Sequence, residues 1–138
     1  MSKCQKFSFQ RDALQEVSPE ALYMTSVVGE ALSVGVVNFR LPKGPDIAPK
    51  AHNHGEEITL QIKGGCTVNL GWSVEEPESS VELEEGLVMI MPTDMPHSGI
   101  NRFDPDGMCL RLNVVTPPRA EYGAKGEAKV YYPTGEAK

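Results

Sequence analysis

Hydrophobic residues in this chain come in short runs that alternate with polar ones at a period of two. The runs lie at 22–28, 31–41, 57–62, 66–74, 80–83, 87–91, 98–103 and 108–115. Between them stand Lys63-Gly64-Gly65, EEPESS, EEG, PTDMP and DPDG, all of which carry turn chemistry. Gly29-Glu30 reads as a tight hairpin turn between the first two runs. Only FQRDALQEVSPEAL near the start has the composition of a helix, and Pro19 limits it. Many short strands at this spacing, with almost no 3.6-residue periodicity, predict an all-β antiparallel sandwich or small barrel.

Alternation sorts the strand residues into faces. In 57–62 the polar set is Glu57, Thr59 and Gln61, against Ile58, Leu60 and Ile62. In 108–115 it is Cys109, Arg111 and Asn113, against Met108, Leu110, Leu112 and Val114. In 66–72 Thr67 and Asn69 oppose Cys66, Val68, Leu70 and Trp72. The ordinary assignment puts the polar set in solvent. The alternative turns part of it into a ligand-lined lumen while the apolar set packs between sheets.

At 138 residues the chain is long enough for one domain with its own core. The formal net charge of −6, with no basic patch, argues against nucleic acid as a partner. The first residues lack the apolar core of a secretory signal, and no run approaches membrane-spanning length, so a cytoplasmic protein is expected. Cys4, Cys66 and Cys109 are odd in number and lack CxxC spacing, which predicts reduced thiols, with Cys66 and Cys109 packed inside strands. Met89, Met91, Met95 and Met108 surround the later strands as core filling or as an adaptable pocket wall. Residues 1–29 are expected to pack on the barrel or a partner, 30–119 to form the barrel, and 120–138 to make a polar arm around Val130, Tyr131 and Tyr132.

The three histidines are placed unevenly. His52 and His54 share strand parity, so both imidazoles can point one way, and Glu57 follows with a hard oxygen donor. His97 comes after Pro92 and Pro96, which stiffen the loop that delivers it. Three imidazoles and a carboxylate suit one divalent first-row ion per chain: Fe, Mn, Ni, Co, Cu or Zn. Four protein ligands on an octahedral ion leave two positions for water, substrate or dioxygen.

These residues resemble the cupin superfamily. Its first motif, G(x)5HxH(x)3–4E(x)6G, is matched by His52, His54, Glu57 and Gly64, with one residue fewer between His54 and Glu57, and with Gly44 two residues too far upstream. Its second, G(x)5PxG(x)2H(x)3N, is matched by Gly86, Pro92, His97 and Asn101, with Asp94 in place of a glycine. The resemblance implies a cupin-type β-barrel (a double-stranded β-helix, or jelly roll), a metal held by His52, His54, Glu57 and His97, and a homodimer. Within the superfamily, NVVTPPR at 113–119 resembles the last strand of the small pectin-degradation cupins that open unsaturated uronates. Thr116-Pro117 and Arg119 match, but Asn113 stands where those proteins carry an aspartate and Val115 where they carry an aromatic residue. Asparagine cannot take up a proton at neutral pH, which counts against the same uronate chemistry.

The leading expectation is a redox-neutral enzyme, an isomerase, lyase, cyclase or ring-opening catalyst, acting on a small molecule such as a sugar acid or keto compound. Gln61 and Asn113 are its candidate hydrogen-bond partners and Arg111 its contact to an anionic substrate. Glu57 reads as a ligand in preference to a base. A non-haem iron dioxygenase and a metal-containing binding protein without turnover are the alternatives.

Overall fold

The computed structural model describes residues 4–18, 22–40, 51 and 53–118. Nine strands follow a single 3-10 turn at Arg11–Ala13: β1 (Gln15–Ser18), β2 (Leu22–Val28), β3 (Ser33–Arg40), β4 (Glu56–Lys63), β5 (Gly65–Leu70), β6 (Ser79–Leu83), β7 (Val88–Met91), β8 (His97–Arg102) and β9 (Met108–Thr116). They form a six-stranded sheet, β1-β2-β3-β9-β4-β7, and a three-stranded sheet, β6-β5-β8. Among the described residues the strand pairings are antiparallel. The connections β4–β5, β6–β7, β7–β8 and β8–β9 each carry the chain from one sheet to the other. Among the described residues no helix is long and apolar enough to cross a membrane.

Local expectations change at three places. The stretch expected to be helical yields one 3-10 turn and then β1, because residues from 15 onward pair with β2 (Gln15 opposite Met24) and join the sheet. The first hairpin turns through 29–32 and not through two residues alone: Val28 pairs with Ser33, and the Gly29 N–H donates to the Leu32 carbonyl at 2.8 Å. Strand β5 stops at Leu70, where the next amide, that of Gly71, leaves the ladder and donates to the Pro96 carbonyl at 2.8 Å. Trp72 therefore falls outside the strand and is exposed, not held with the apolar set.

The ordinary assignment of faces is reversed. Glu57, Thr59, Gln61, Arg111 and Asn113 are buried, while Ile58, their apolar neighbour on β4, is 39% exposed. Register explains the pattern. Across the six-stranded sheet, one inward row runs Ser33, Val115, Glu57, Met91 and the next runs Ser26, Gly35, Asn113, Thr59, Met89. The outward rows are apolar but for Thr25: Val27, Val34, Val114, Ile58, Ile90, then Thr25, Val36, Leu112, Leu60, Val88. A sheet with an apolar outer face and a polar inner one is a container, not a solvated half-sandwich.

Each surface has its own core. Leu22, Met24, Val37, Phe39 and Cys109 close one end of the interior, with Phe103 against them. Cys66, Val68, Leu83 and Met91 join the two sheets on the other side, with Met89 and Met95 packed alongside. On the outer face, Phe7 and Leu14 cover Tyr23, Val36, Leu110 and Leu112. Burying a side chain such as Leu14 contributes about 1.5–3 kcal/mol, which makes the N-terminal segment part of the fold. The outer rows are left uncovered toward β7, where Val88 and Ile90 are exposed.

Cys66 and Cys109 are buried free thiols and Cys4 is exposed. Burial raises the Cys66 pKa, against a smaller opposing pull from the Arg111 guanidinium, so the nucleophilic thiolate is scarce at neutral pH. Titration of the native protein with a thiol reagent should modify Cys4 rapidly, and Cys66 and Cys109 only on unfolding. Fast modification of two or three thiols per native chain would show that the interior is open to solvent.

Candidate metal centre

The cluster is assembled by two segments that the fold ties together. His54 leads into β4 and His97 opens β8, so the two histidines come from segments feeding opposite sheets. The Asp94 N–H donates to the His54 carbonyl at 2.8 Å, joining the loop before β8 directly to the histidine segment. Asp94 adopts a φ of 61°, a left-handed conformation that aspartate tolerates better than most residues. Its place in the second motif, where a glycine is usual, is filled without loss of that turn.

Gly55 sets the spacing between His54 and Glu57. A Cβ there would lie 1.8 Å from the Thr116 carbonyl oxygen and 2.7 Å from the Pro117 ring. Glycine lets β4 begin hard against the end of β9, so the histidine-to-glutamate connection closes with one residue fewer than the motif allows.

His54 Nε2 stands 3.1 Å from His97 Nε2 and 3.1 Å from Glu57 Oε2. The rings meet edge to face, with centroids 4.7 Å apart. Both Nδ1 atoms face backbone carbonyls: His54 that of Gly55 at 2.7 Å, His97 that of Met95 at 2.8 Å. A carbonyl oxygen only accepts, so each Nδ1 carries the proton and each Nε2 of a neutral ring presents a lone pair. Thr59 Oγ1 donates to Glu57 Oε1 at 2.6 Å, fixing the carboxylate with Oε2 toward His54. Glu57 and His97 are each 7% exposed, so little water screens this meeting of acceptors. Among the described residues, no three or more His, Cys, Asp or Glu side chains stand as a finished cage for an ion.

Of the other expected site residues, Gln61, Arg111 and Asn113 lie on the inward face of the sheet that carries Glu57. His52 lies outside the described residues, as do Gly44 and Arg119. Glu56, the neighbouring carboxylate, is exposed. Gln61 is 2% exposed and its Nε2 donates to the Lys63 carbonyl at 2.7 Å. Arg111 pairs in register with Gln61, and its Nη1 donates to Asn101 Oδ1 at 2.6 Å, linking the six-stranded sheet to β8. Asn113 sits between Gly35 and Thr59 in the inward row next to that of Glu57. Sequence reasoning passed over Thr59 and Gly55. The polar parity of Glu57, Thr59 and Gln61 is the signal for the first, and the shortened spacing is the signal for the second.

No family model matches the sequence, and none of the curated proteins matches it either. Solved structures do. An RmlC-like cupin from Shewanella frigidimarina aligns with a TM-score of 0.61 at 16% identity, covering 88% of this chain and 99% of that one. KdgF from Halomonas sp. aligns at 0.56 and 20% identity, covering 77% of this chain and 88% of that one. An Fe(II) form of HppE aligns at 0.52 and 18% identity, over 69% of this chain and 50% of that one. The protein is thus of the double-stranded β-helix class, two antiparallel sheets closed around a polar interior. Its particular fold is that of the RmlC-like cupins.

Gly55→Ala should lower stability by about 1–3 kcal/mol, the usual cost of forcing extra volume into a packed site. It should also displace the end of β9 from the start of β4. Denaturant melts with an unchanged midpoint would show that the Thr116 contact does not constrain this connection.

Proposed function

We propose that this protein is a metal-dependent enzyme of the cupin fold, acting by redox-neutral chemistry on a small oxygenated compound such as a sugar acid or keto compound. The reaction class is isomerase, lyase, cyclase or ring opening. The observation that carries the proposal is the meeting of three acceptor atoms, His54 Nε2, His97 Nε2 and Glu57 Oε2, around 3.1 Å contacts. With both Nδ1 positions protonated, the three atoms meet favourably through a proton on an Nε2 or through a bound cation, and a cation serves all three at once. Ligands bonded at about 2.1 Å and at right angles stand about 3.0 Å apart, so the spacing suits a divalent ion.

In this reading His54, Glu57 and His97 hold the ion and His52 completes the set. When bound, the ion acts as a Lewis acid on a carbonyl or hydroxyl oxygen. The protein's own groups prepare the site for it. The carbonyls of Gly55 and Met95 fix the tautomer and aim of the two imidazoles. The Thr59 hydroxyl holds one oxygen of Glu57, which supports a ligand role over that of a mobile base. Met89 and Met91 flank Thr59 and Glu57 in the inward rows and give the site an apolar wall.

Protein purified without added metal should hold about one divalent transition ion per chain. Thr59→Val should weaken metal binding by about 10–100-fold, the effect expected when the group orienting a ligand is lost. His97→Ala should abolish it, while both variants keep the wild-type circular dichroism. Metal retained by His97→Ala at wild-type affinity, or a wild-type chain that stays empty after incubation with each candidate ion, would sink this reading.

The Fe(II) form of HppE among the structural neighbours favours one second reading, a non-haem iron dioxygenase. Iron as the bound ion, with oxygen uptake on adding a catechol, thiol or diketone, selects it over redox-neutral chemistry.

The proposal includes a homodimer that covers the exposed outer rows ending at Val88 and Ile90. Light scattering should give twice the 15.1 kDa chain mass, and Ile90→Asp should shift it toward one chain. A single-chain mass at all concentrations would contradict the dimer.

A further inference from the structure

The acceptor cluster has a sulfur-rich side. Met91 stands directly opposite Glu57 in the inward row shared by β4 and β7, and Met89 stands opposite Thr59, which holds the Glu57 carboxylate. The Met95 carbonyl fixes His97 Nδ1 at 2.8 Å. All three methionines pack in one group with Cys66, Val68 and Leu83. Leu70, which packs against that group, is the register partner of His97. The group therefore borders the cluster from both sheets.

Packing alone does not call for methionine here. The other two buried clusters hold one methionine between them, Met24, against three in this one. Met91 is 2% exposed, so its thioether meets little water. Residues directly opposite on antiparallel strands have Cβ atoms about 5 Å apart, and methionine is unbranched with several rotatable bonds. Its Sδ can therefore reach the position toward which Glu57 Oε2 points. A thioether is a neutral, polarisable donor. It suits Cu(I) and adds little to a hard ion such as Mn(II), while imidazole also suits copper.

We propose that Met91 supplies a thioether to a copper ion held at this cluster, and that it selects copper in the cuprous state over zinc and manganese. This deepens the metal reading above and rests on it for the two imidazoles; it concerns the ion and not the reaction. Met89 and Met95 pack beside Met91 as apolar support.

The test uses the full chain stripped of metal by a chelator, with Cys4→Ser so that the exposed thiol takes up no copper. Competition with bicinchoninate under ascorbate gives the Cu(I) affinity, calorimetry the Zn(II) and Mn(II) affinities, and X-ray absorption the atoms around copper. Met91→Leu conserves volume, so the melting temperature should hardly move. Cu(I) should bind this variant at least about tenfold more weakly than the parent, with Zn(II) and Mn(II) binding unchanged. Sulfur should neighbour copper in the parent and be gone in Met91→Leu. A copper spectrum with nitrogen and oxygen neighbours alone would overturn the inference and leave the metal reading standing. So would sulfur that persists in Met91→Leu, which belongs to Cys66, or equal Cu(I) affinity in the two proteins. Copper bound with Met91 sulfur yet unaffected by His97→Ala would keep the thioether and overturn the histidine centre. A chain that takes up none of the three ions would overturn both.

Discussion

Three electron-rich atoms, two imidazole nitrogens and a carboxylate oxygen, face one another near the end of this barrel's interior. Nothing in the covalent chain makes that arrangement favourable. It is held by the carbonyls of Gly55 and Met95, by the Thr59 hydroxyl, and by the amide of Asp94, which binds one histidine segment to the loop carrying the other. Each of these bonds directs an acceptor toward the same place. This hydrogen bonding concentrates lone pairs in one buried position, which is the support the proposed cation requires.

The rest of the architecture surrounds that position. The interior is polar at the middle and apolar at the ends, where Phe39 and Cys109 of the large sheet close one side and Met91, with Cys66 of the small sheet, the other. The hydrophobic residues displaced from the interior lie on the outer face, where the N-terminal segment covers part of them. Sheet closure by repeated crossing between the two layers lets residues distant in the chain, such as His54 and His97, touch. The cost is an exposed apolar margin along β7, bounded by Val88 and Ile90.

Strand positions were legible because alternation and turn residues are local signals, and all eight expected runs contain observed strands. Which face turned inward was not legible. Periodicity separates Glu57, Thr59 and Gln61 from Ile58, Leu60 and Ile62 but is silent on which set meets solvent, and the usual preference pointed the wrong way. The helix expected near the start failed because pairing with β2 outweighed weak local propensity. For the cluster, the motif spacing picks out the segments of His54, Glu57 and His97, which the fold brings together, while the reason for the shortened link to Glu57 lies in the tertiary approach of Gly55 to Thr116. The roles of Thr59 and of the two carbonyls belong to tertiary contacts that no spacing rule records.

Metal occupancy at the cluster is the decisive point, and anomalous diffraction from crystals of the protein as purified addresses it most directly. The account predicts one anomalous peak at bonding distance from His54 Nε2, His97 Nε2 and Glu57 Oε2. A map in which those atoms are linked only by protons, with no peak among them after soaking in each candidate divalent ion, would contradict it.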